Sequence, residues 1–381
     1  MVEDMYENTT NIIRSIGKKL IHNYMDENKI VGGINGPYDD PETPIRNLSH
    51  LAIICSIEVL KYGREEYITV LKKIGSEILS RKGRDNLWIM REKATKDQCN
   101  GVIGHAWLNE AFIYLYRTLQ DDVYINEALR VSRQHGFNQK IGLWKRPTDG
   151  TIDYTMNHQL WYAATLAELN SIVKDDELSG QLDRFMESLP YNFQTGKNGR
   201  IRHSVILHER IKDTLKQRAK NILSDFREQY NKPSMAYKEE GYHVFNLFAL
   251  ARLYRVKKDS PFWRTERFKK SIDYIIKNDF FVGLENYNIE LDASLKNCIT
   301  DQEEKSINIY GYPYNVPGLE VAYVAETFDG MISTDIVDRC LEKQLNYTFD
   351  IDKGVFGYRC HDKRTINYRV YEYYRFLEIS A

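Results

Sequence analysis

The sequence predicts an all-α protein, an (α/α)6 toroid of six inner and six outer helices with a small β-hairpin insertion. Three observations carry that prediction. Six mostly apolar runs recur along the 381 residues, each following a polar, aromatic-rich loop. Between them lie six segments that are apolar on one face only. The alternation begins on a one-sided segment and ends on an apolar run, so first and last can pack together and close a ring.

The elements follow in order. Residues 6–28 place Ile12, Ile13, Ile16, Leu20 and Ile21 along one helical stripe, the mark of an outer helix. The first apolar run, 46–62, has almost no polar face and must be surrounded. Segment 65–81 returns to one-sidedness, with Ile68, Leu71, Ile74 and Ile78 opposite Lys and Glu. Runs 100–116, 156–169, 239–254, 314–328 and 367–379 repeat the inner type. Segments 122–134, 175–189, 265–278 and 333–347 repeat the outer type. An open superhelix of helical pairs competes with the ring. Six pairs without a polar capping hairpin at either end favour closure. Two stretches interrupt the repeat. Residues 193–206 read as a hairpin followed by a charged helix around 207–229, and 280–318 form a long connection of the kind that serves as a lid or binding element. No linker divides the chain, so residues 1–381 are expected to form one domain.

Composition narrows the function. Fifty-three basic and 54 acidic residues give a formal net charge of −1, which argues against nucleic acid as a partner. No apolar run reaches the length of a membrane span, and the N-terminus has no signal-peptide core. Cys55, Cys99, Cys298, Cys340 and Cys360 are scattered, without metal-ligand spacing, so neither a metal site nor a cofactor is expected and a cytoplasmic location is. Tyrosine, at 27 copies, stands out, because its flat face and polar tip suit sugar binding.

In a closed ring the inner helices run parallel, so their N-termini gather at one mouth with unpaired N–H groups and partial positive charge. That favours an anionic or hydroxyl-rich ligand. The loops feeding this mouth are rich in functional side chains, whereas the opposite loops are short. They offer Arg46, Asn47 and His50; Asp97, Asn100, His105 and Trp107; Asp153, Asn157, His158 and Trp161; Glu240, Tyr242 and His243; Tyr312, Tyr314 and Asn315; Arg364 and Arg369. His50, His105, His158 and His243 occupy similar places near the starts of the first four apolar runs. Glu110, Glu168, Glu320 and Glu372, inside apolar runs, are expected to pair with arginines across the ring.

Glycosidic cleavage usually needs two carboxyl groups. Asp153 as general acid/base and Glu240 as second carboxylate are the candidates, with Asp97 in reserve. Asn157, His158, His243 and Arg364 would orient a carboxylate or hydroxyls, with Trp107, Trp161 and Tyr312 stacking on the sugar. Arg46, His50, Asn100, His105, Tyr242 and Asn315 complete the expected binding set. A uronate lyase would instead use Asn157 or Arg364 to neutralise a carboxylate and a Tyr or His base. An epimerase would use two histidines, His158 with His243 or His105. A non-catalytic glycan-binding subunit remains the fourth reading.

The chain resembles six-hairpin glycosidase-type toroids over nearly its whole length. GTIDYTMNHQLWYAATLAEL (150–169) is similar to the segment of unsaturated glucuronyl hydrolases in which a catalytic aspartate precedes an inner helix, which implies that role for Asp153. RNLSHLAI, CNGVIGHAWLNEA, MNHQLWYAA, EGYHVFNLFAL and YPYNVPGLEVAY together resemble the AglQ-like proteins of glycan-assembly clusters. That resemblance implies work on surface polysaccharides or protein-linked glycans containing uronic acids, in company with other glycan-assembly proteins.

Overall fold

The computed structural model describes residues 2–83, 86–205, 233–285 and 307–380. Its outer helices are α1 (Val2–Glu27), α3 (Ile68–Ser80), α5 (Asp122–Ser132), α7 (Asp176–Asn192), α10 (Glu266–Ile276) and α14 (Thr334–Thr348). Its inner helices are α2 (Ile45–Tyr62), α4 (Ile103–Leu119), α6 (Met156–Val173), α9 (His243–Val256), α13 (Pro317–Thr327) and α15 (Tyr371–Ile379). Three further helices, α8 (Pro233–Gly241), α11 (Asn278–Glu285) and the single turn α12 (Tyr312–Asn315), belong to the connections.

The ring closes. Each inner helix packs on the next, and α15 packs on α2 while α1 meets α14. The seam is specific: Arg14 of α1 donates to both carboxylate oxygens of Glu58 on α2, at 2.9 and 2.8 Å, and the Tyr374 hydroxyl of α15 donates to Glu58 at 2.9 Å. Gly17 lets α1 approach, because a Cβ there would stand 2.3 Å from the Tyr374 hydroxyl oxygen.

Alternation follows from burial. The run Ile45–Glu58 of α2 is buried throughout, and Ile103–Leu115 of α4 likewise. Such helices hold together only when apolar neighbours surround them. Buried ion pairs cross the ring's interior. Arg252 pairs with Glu110 at 3.0 Å and Glu168 at 2.7 Å, and Arg375 pairs with both acids, with Glu168 at 2.8 Å. Nearer the mouth, Arg369 pairs with Glu320 at 2.9 Å and Glu372 at 2.7 Å. All four acids thus have arginine partners on other elements or one turn away, and removing any one would strand a buried charge.

The insertion beginning at 193 turns back through the bridge Thr195–Ile201, and the bridge Thr155–Ser204 ties it to the start of α6. The charged helix expected around 207–229 lies outside the described residues, as do Cys298 and the middle of the long connection. Two-residue ladders pair Phe137–Asn138 with Leu143–Trp144 and Phe349–Asp350 with Val355–Phe356. The sequence did not announce them, since two residues are too few to show alternation. Among the described residues no helix is long and apolar enough to cross a membrane.

Candidate functional site

The starts of all six inner helices meet at a cavity of about 220 Å³. Arg46 comes from α2; Asn100, Ile103 and Trp107 from α4 and its approach; Thr155, Asn157 and His158 from α6; Tyr242 and Phe245 from α9. Tyr314 and Asn315 precede α13, and Arg369 precedes α15. The remaining wall is contributed by Asn35, Tyr38 and Asp40 from the loop after α1, Arg91 and Lys96, Arg146, His203 of the hairpin, and Lys238 of α8.

At the centre is His158. Its Nδ1 lies 2.7 Å from Oδ2 of Asp153. Asp153 also accepts from the backbone N–H of Val102 and of Thr155, each at 3.1 Å, so it joins the approaches to α4 and α6. Burial works against its charge, but His158 and these N–H groups outweigh that cost and hold the carboxyl well below the ordinary range. An ionised Asp153 fixes the proton of His158 on Nδ1 and leaves Nε2 as a lone pair for the cavity. Gly101 makes this fit possible. Its φ is +64°, and a Cβ there would stand 2.0 Å from Asp153 Oδ2 and 2.4 Å from His158 Nδ1.

His203 belongs to the same group. The Met156 N–H donates to the His203 carbonyl at 2.8 Å, and Glu239 accepts from the His203 N–H at 3.1 Å. Glu239 in turn pairs with Arg200 at 3.1 Å and Arg202 at 3.3 Å, which pins the hairpin on α8. Burial, helped by the charges of Lys238 and His158, pushes the His203 imidazole well below its ordinary value, so it is neutral near pH 7. Its Nδ1 is buried and has no hydrogen-bond partner among the described residues.

The same holds for other atoms of the wall: Asn35 Nδ2, Arg46 Nε, Arg91 Nε, Asn100 Oδ1, Arg146 Nε and Asn157 Oδ1. Buried polar atoms are ordinarily satisfied, and each exception costs about 1–3 kcal/mol. Their concentration at one cavity marks a surface built to hydrogen-bond something else. Among the described residues Arg46, Arg91, Lys96, Arg146, Lys238 and Arg369 line it, against a single acid, Asp40. Asp40 is already committed to Lys93 at 2.8 Å and Lys96 at 3.3 Å. Aromatic side chains complete the wall. The Tyr38 and Tyr242 hydroxyls lie 3.1 Å apart, and the Tyr314 hydroxyl donates to Asn35 at 2.8 Å.

Several expected residues stand elsewhere. His50 is buried, stacked at 4.0 Å on Tyr371 behind Trp107. His105 faces the outer ring, 2.9 Å from His135. His243 also faces outward, accepting from the Ile201 N–H and lying 2.8 Å from the Ser271 carbonyl. The four histidines stand at the sixth, third, third and first positions of their helices, and which way each faces also depends on how its helix is rotated about its own axis by its packing. Ile103 and Trp107 share the cavity side of α4, and His105 between them points away. Trp161 is buried against Phe245 and Phe248, at 4.6 and 5.4 Å, and supports the cavity wall from behind. Tyr312 stacks at 5.4 Å on Tyr347, and Arg364 is exposed away from the cavity. Trp107 does line the cavity, but the Arg46 guanidinium covers one face at 4.2 Å.

The two expected carboxylates also stand back from the cavity. Neither Asp153 nor Glu240 is part of the cavity wall. Asp153 stands behind His158, its oxygens occupied. Glu240 pairs with Arg200 at 3.4 Å and packs against Gly283, and burial pushes its carboxyl up to about 7. Asp97 accepts from Cys99 N–H at 3.2 Å and the Thr148 hydroxyl at 2.8 Å, shaping the turn before α4.

No family model matches the chain. In fold it is similar to cellobiose 2-epimerase from Bacillus thermoamylovorans, with a TM-score of 0.57 at 11% identity over 92% of this chain and 93% of that one. It is also similar to an unsaturated glucuronyl hydrolase specific for heparin, with a TM-score of 0.56 at 12% identity over 98% and 96% of the two chains. These likenesses show an (α/α)6 toroid. In sequence it is 31% identical over 355 residues to archaeal glycosylation protein Q of Haloferax volcanii, covering 89% of this chain and 90% of that protein. Over that length and at that identity, the chain belongs to the family of archaeal glycosylation protein Q.

Proposed function

We propose that this protein is a carbohydrate-active enzyme that binds an acidic, uronate-type saccharide and moves a proton at carbon, as in epimerisation or elimination. The observation that carries this reading is His158, backed by Asp153, at the wall of a cavity that six cations and one committed acid line among the described residues. A proton beside a carboxylate is acidic enough to remove only if the charge that develops is held. The cationic wall, with the amide of Asn157, supplies that hold. Nε2 of His158 takes the proton, and Asp153 stabilises the imidazolium that results. His203, neutral and adjacent, is the second group able to accept or return a proton.

Two-carboxyl hydrolysis finds less support, because among the described residues no carboxyl group but the committed Asp40 lines the cavity. The relative's name as a glycosylation protein supports a saccharide substrate and glycan-assembly partners. The cellobiose 2-epimerase of like fold supports proton transfer at sugar carbon as a reaction this scaffold hosts. The test is product analysis with oligosaccharides ending in glucuronate or another uronate. Epimerised sugar, or a product with new near-ultraviolet absorbance from a carbon–carbon double bond, is expected. Release of unmodified monosaccharide would overturn the proton-transfer reading in favour of hydrolysis.

A further inference from the structure

We infer that the acidic saccharide is carried on a phosphoryl group, and that Arg91, Lys96 and Lys238 form the subsite that holds it. The inference rests on the saccharide reading above and extends it to the anomeric end of the substrate.

Arg146 lies 4.0 Å from Asp149, and the other five cations of the cavity fall into two sets. Arg46 and Arg369 are bound to acids behind them: Arg46 to Glu42 at 3.2 Å, Arg369 to Glu320 and Glu372. Arg369 also donates to the Tyr314 carbonyl at 3.1 Å, which makes it largely a structural pin. The second set differs. Neither Arg91 nor Lys238 has an ion pair among the described residues, and Lys96 shares Asp40 with Lys93. Arg91 and Lys96 come from one loop, closed where the Arg91 N–H donates to the Gln98 carbonyl at 3.0 Å and anchored by the Glu42–Arg91 bridge. Lys238 comes from α8, far away in the chain. Among the described residues the acids that feel Arg91 are Asp40 and Glu42, and these already pair with Lys93, Lys96 and Arg46. The fold has thus brought more positive than negative charge together here.

Lys238 also stands among the rings of Tyr38, Tyr242 and Tyr310, at 5.1, 5.7 and 5.9 Å from their centroids. Burial, then Lys96 and Arg91, bring its ammonium down to about 8. An isolated ammonium would not be placed so, since mutual repulsion is strong where rings exclude water. A carboxylate brings one negative charge. A phosphate monoester brings about 1.5–2, with three strong acceptor oxygens, and better matches three cations converging from two elements. The shared chemistry is a sugar phosphate or diphosphate, whether the far side is a nucleoside or a lipid.

The experiment is equilibrium binding by calorimetry on the full chain, with glucuronate, glucuronate 1-phosphate and inorganic pyrophosphate. The 1-phosphate is expected to bind about tenfold or more tightly than free glucuronate, with pyrophosphate competing. Arg91→Gln and Lys238→Gln should each narrow that gap. Tighter binding of UDP-glucuronate than of the 1-phosphate would identify a nucleotide-linked substrate, and competition by decyl phosphate stronger than by inorganic phosphate a lipid-linked one. Equal binding of glucuronate and its 1-phosphate by the wild-type protein overturns the inference without needing either variant to fold. A gap that persists in both variants overturns the assigned residues. Proton transfer is read separately, by exchange or loss of the proton beside the carboxylate of a phosphate-free uronate oligosaccharide in heavy water, so the phosphate subsite and the proposed chemistry fail independently.

Discussion

Nδ1 of His158 lies 2.7 Å from Oδ2 of Asp153, and the Asp153 carboxylate takes two backbone N–H bonds besides. This couples the turn before α4 to the first turn of α6 and sets which nitrogen of the imidazole faces the cavity. Asp153→Asn offers that position an amide N–H in place of an acceptor and lets the wrong tautomer form. Turnover is expected to fall by about 10³-fold or more while circular dichroism stays native. Steady-state kinetics check this, and wild-type turnover in the variant would remove the pair from the mechanism.

Asn157 is 3% exposed, and its Oδ1 has no partner among the described residues. Such an atom is kept at a cost to stability because a ligand uses it. Asn157→Ala is therefore expected to leave the melting temperature unchanged or raise it, while weakening saccharide binding by about fivefold or more. Calorimetric melting and binding measured on the same sample separate the two effects.

How much of this was legible in the sequence depends on what each inference needed. Inner and outer helices were legible because the difference between Ile45–Tyr62 and Ile68–Ser80 is a property of each segment alone. Convergence of Arg46, Asn100, Trp107, Asn157, His158, Tyr242 and Asn315 on one cavity followed from ring closure. The parts that failed needed helical phase. His105 and His158 are each third residues of their helices, yet one meets the outer ring and the other the cavity. Arg91, Lys96, Lys238 and His203 escaped notice for another reason. They lie in an irregular loop, a connecting helix and an insertion, and a net charge of −1 over the chain hides a local excess of cations.

The three histidines that left the site have a consequence for stability. Burial lowers His105 to about 4 and His243 to about 3, and takes His50 well below its ordinary value. A depressed folded value means that the unfolded chain takes up the proton first. Stability is full above about pH 6.5 and is lost as pH falls towards the folded values. Each histidine contributes a loss of about 1 kcal/mol between pH 6.5 and 5.5. Thermal melts across that range should show a steep decline, and a flat profile would contradict the neutral, buried assignment.

Glu240 behaves in the opposite sense. Its carboxyl is raised to about 7 by burial, so its contribution is present at low pH and is lost as pH rises through that value. Glu240→Gln is expected to keep turnover close to wild type and to hold or raise the melting temperature above pH 7. Loss of turnover with an intact fold would return this carboxyl group to the chemistry.

The most direct measurement is proton nuclear magnetic resonance of a uronate substrate incubated in heavy water with wild-type protein and with His158→Gln. With the wild type the carbon beside the carboxylate is expected to lose its proton, either replaced by deuterium or given up to a new carbon–carbon double bond, and with the variant to keep it. Exchange or loss of that proton that survives His158→Gln, or cleavage by the wild type that leaves the proton in place, would contradict a proton-transferring histidine in this cavity.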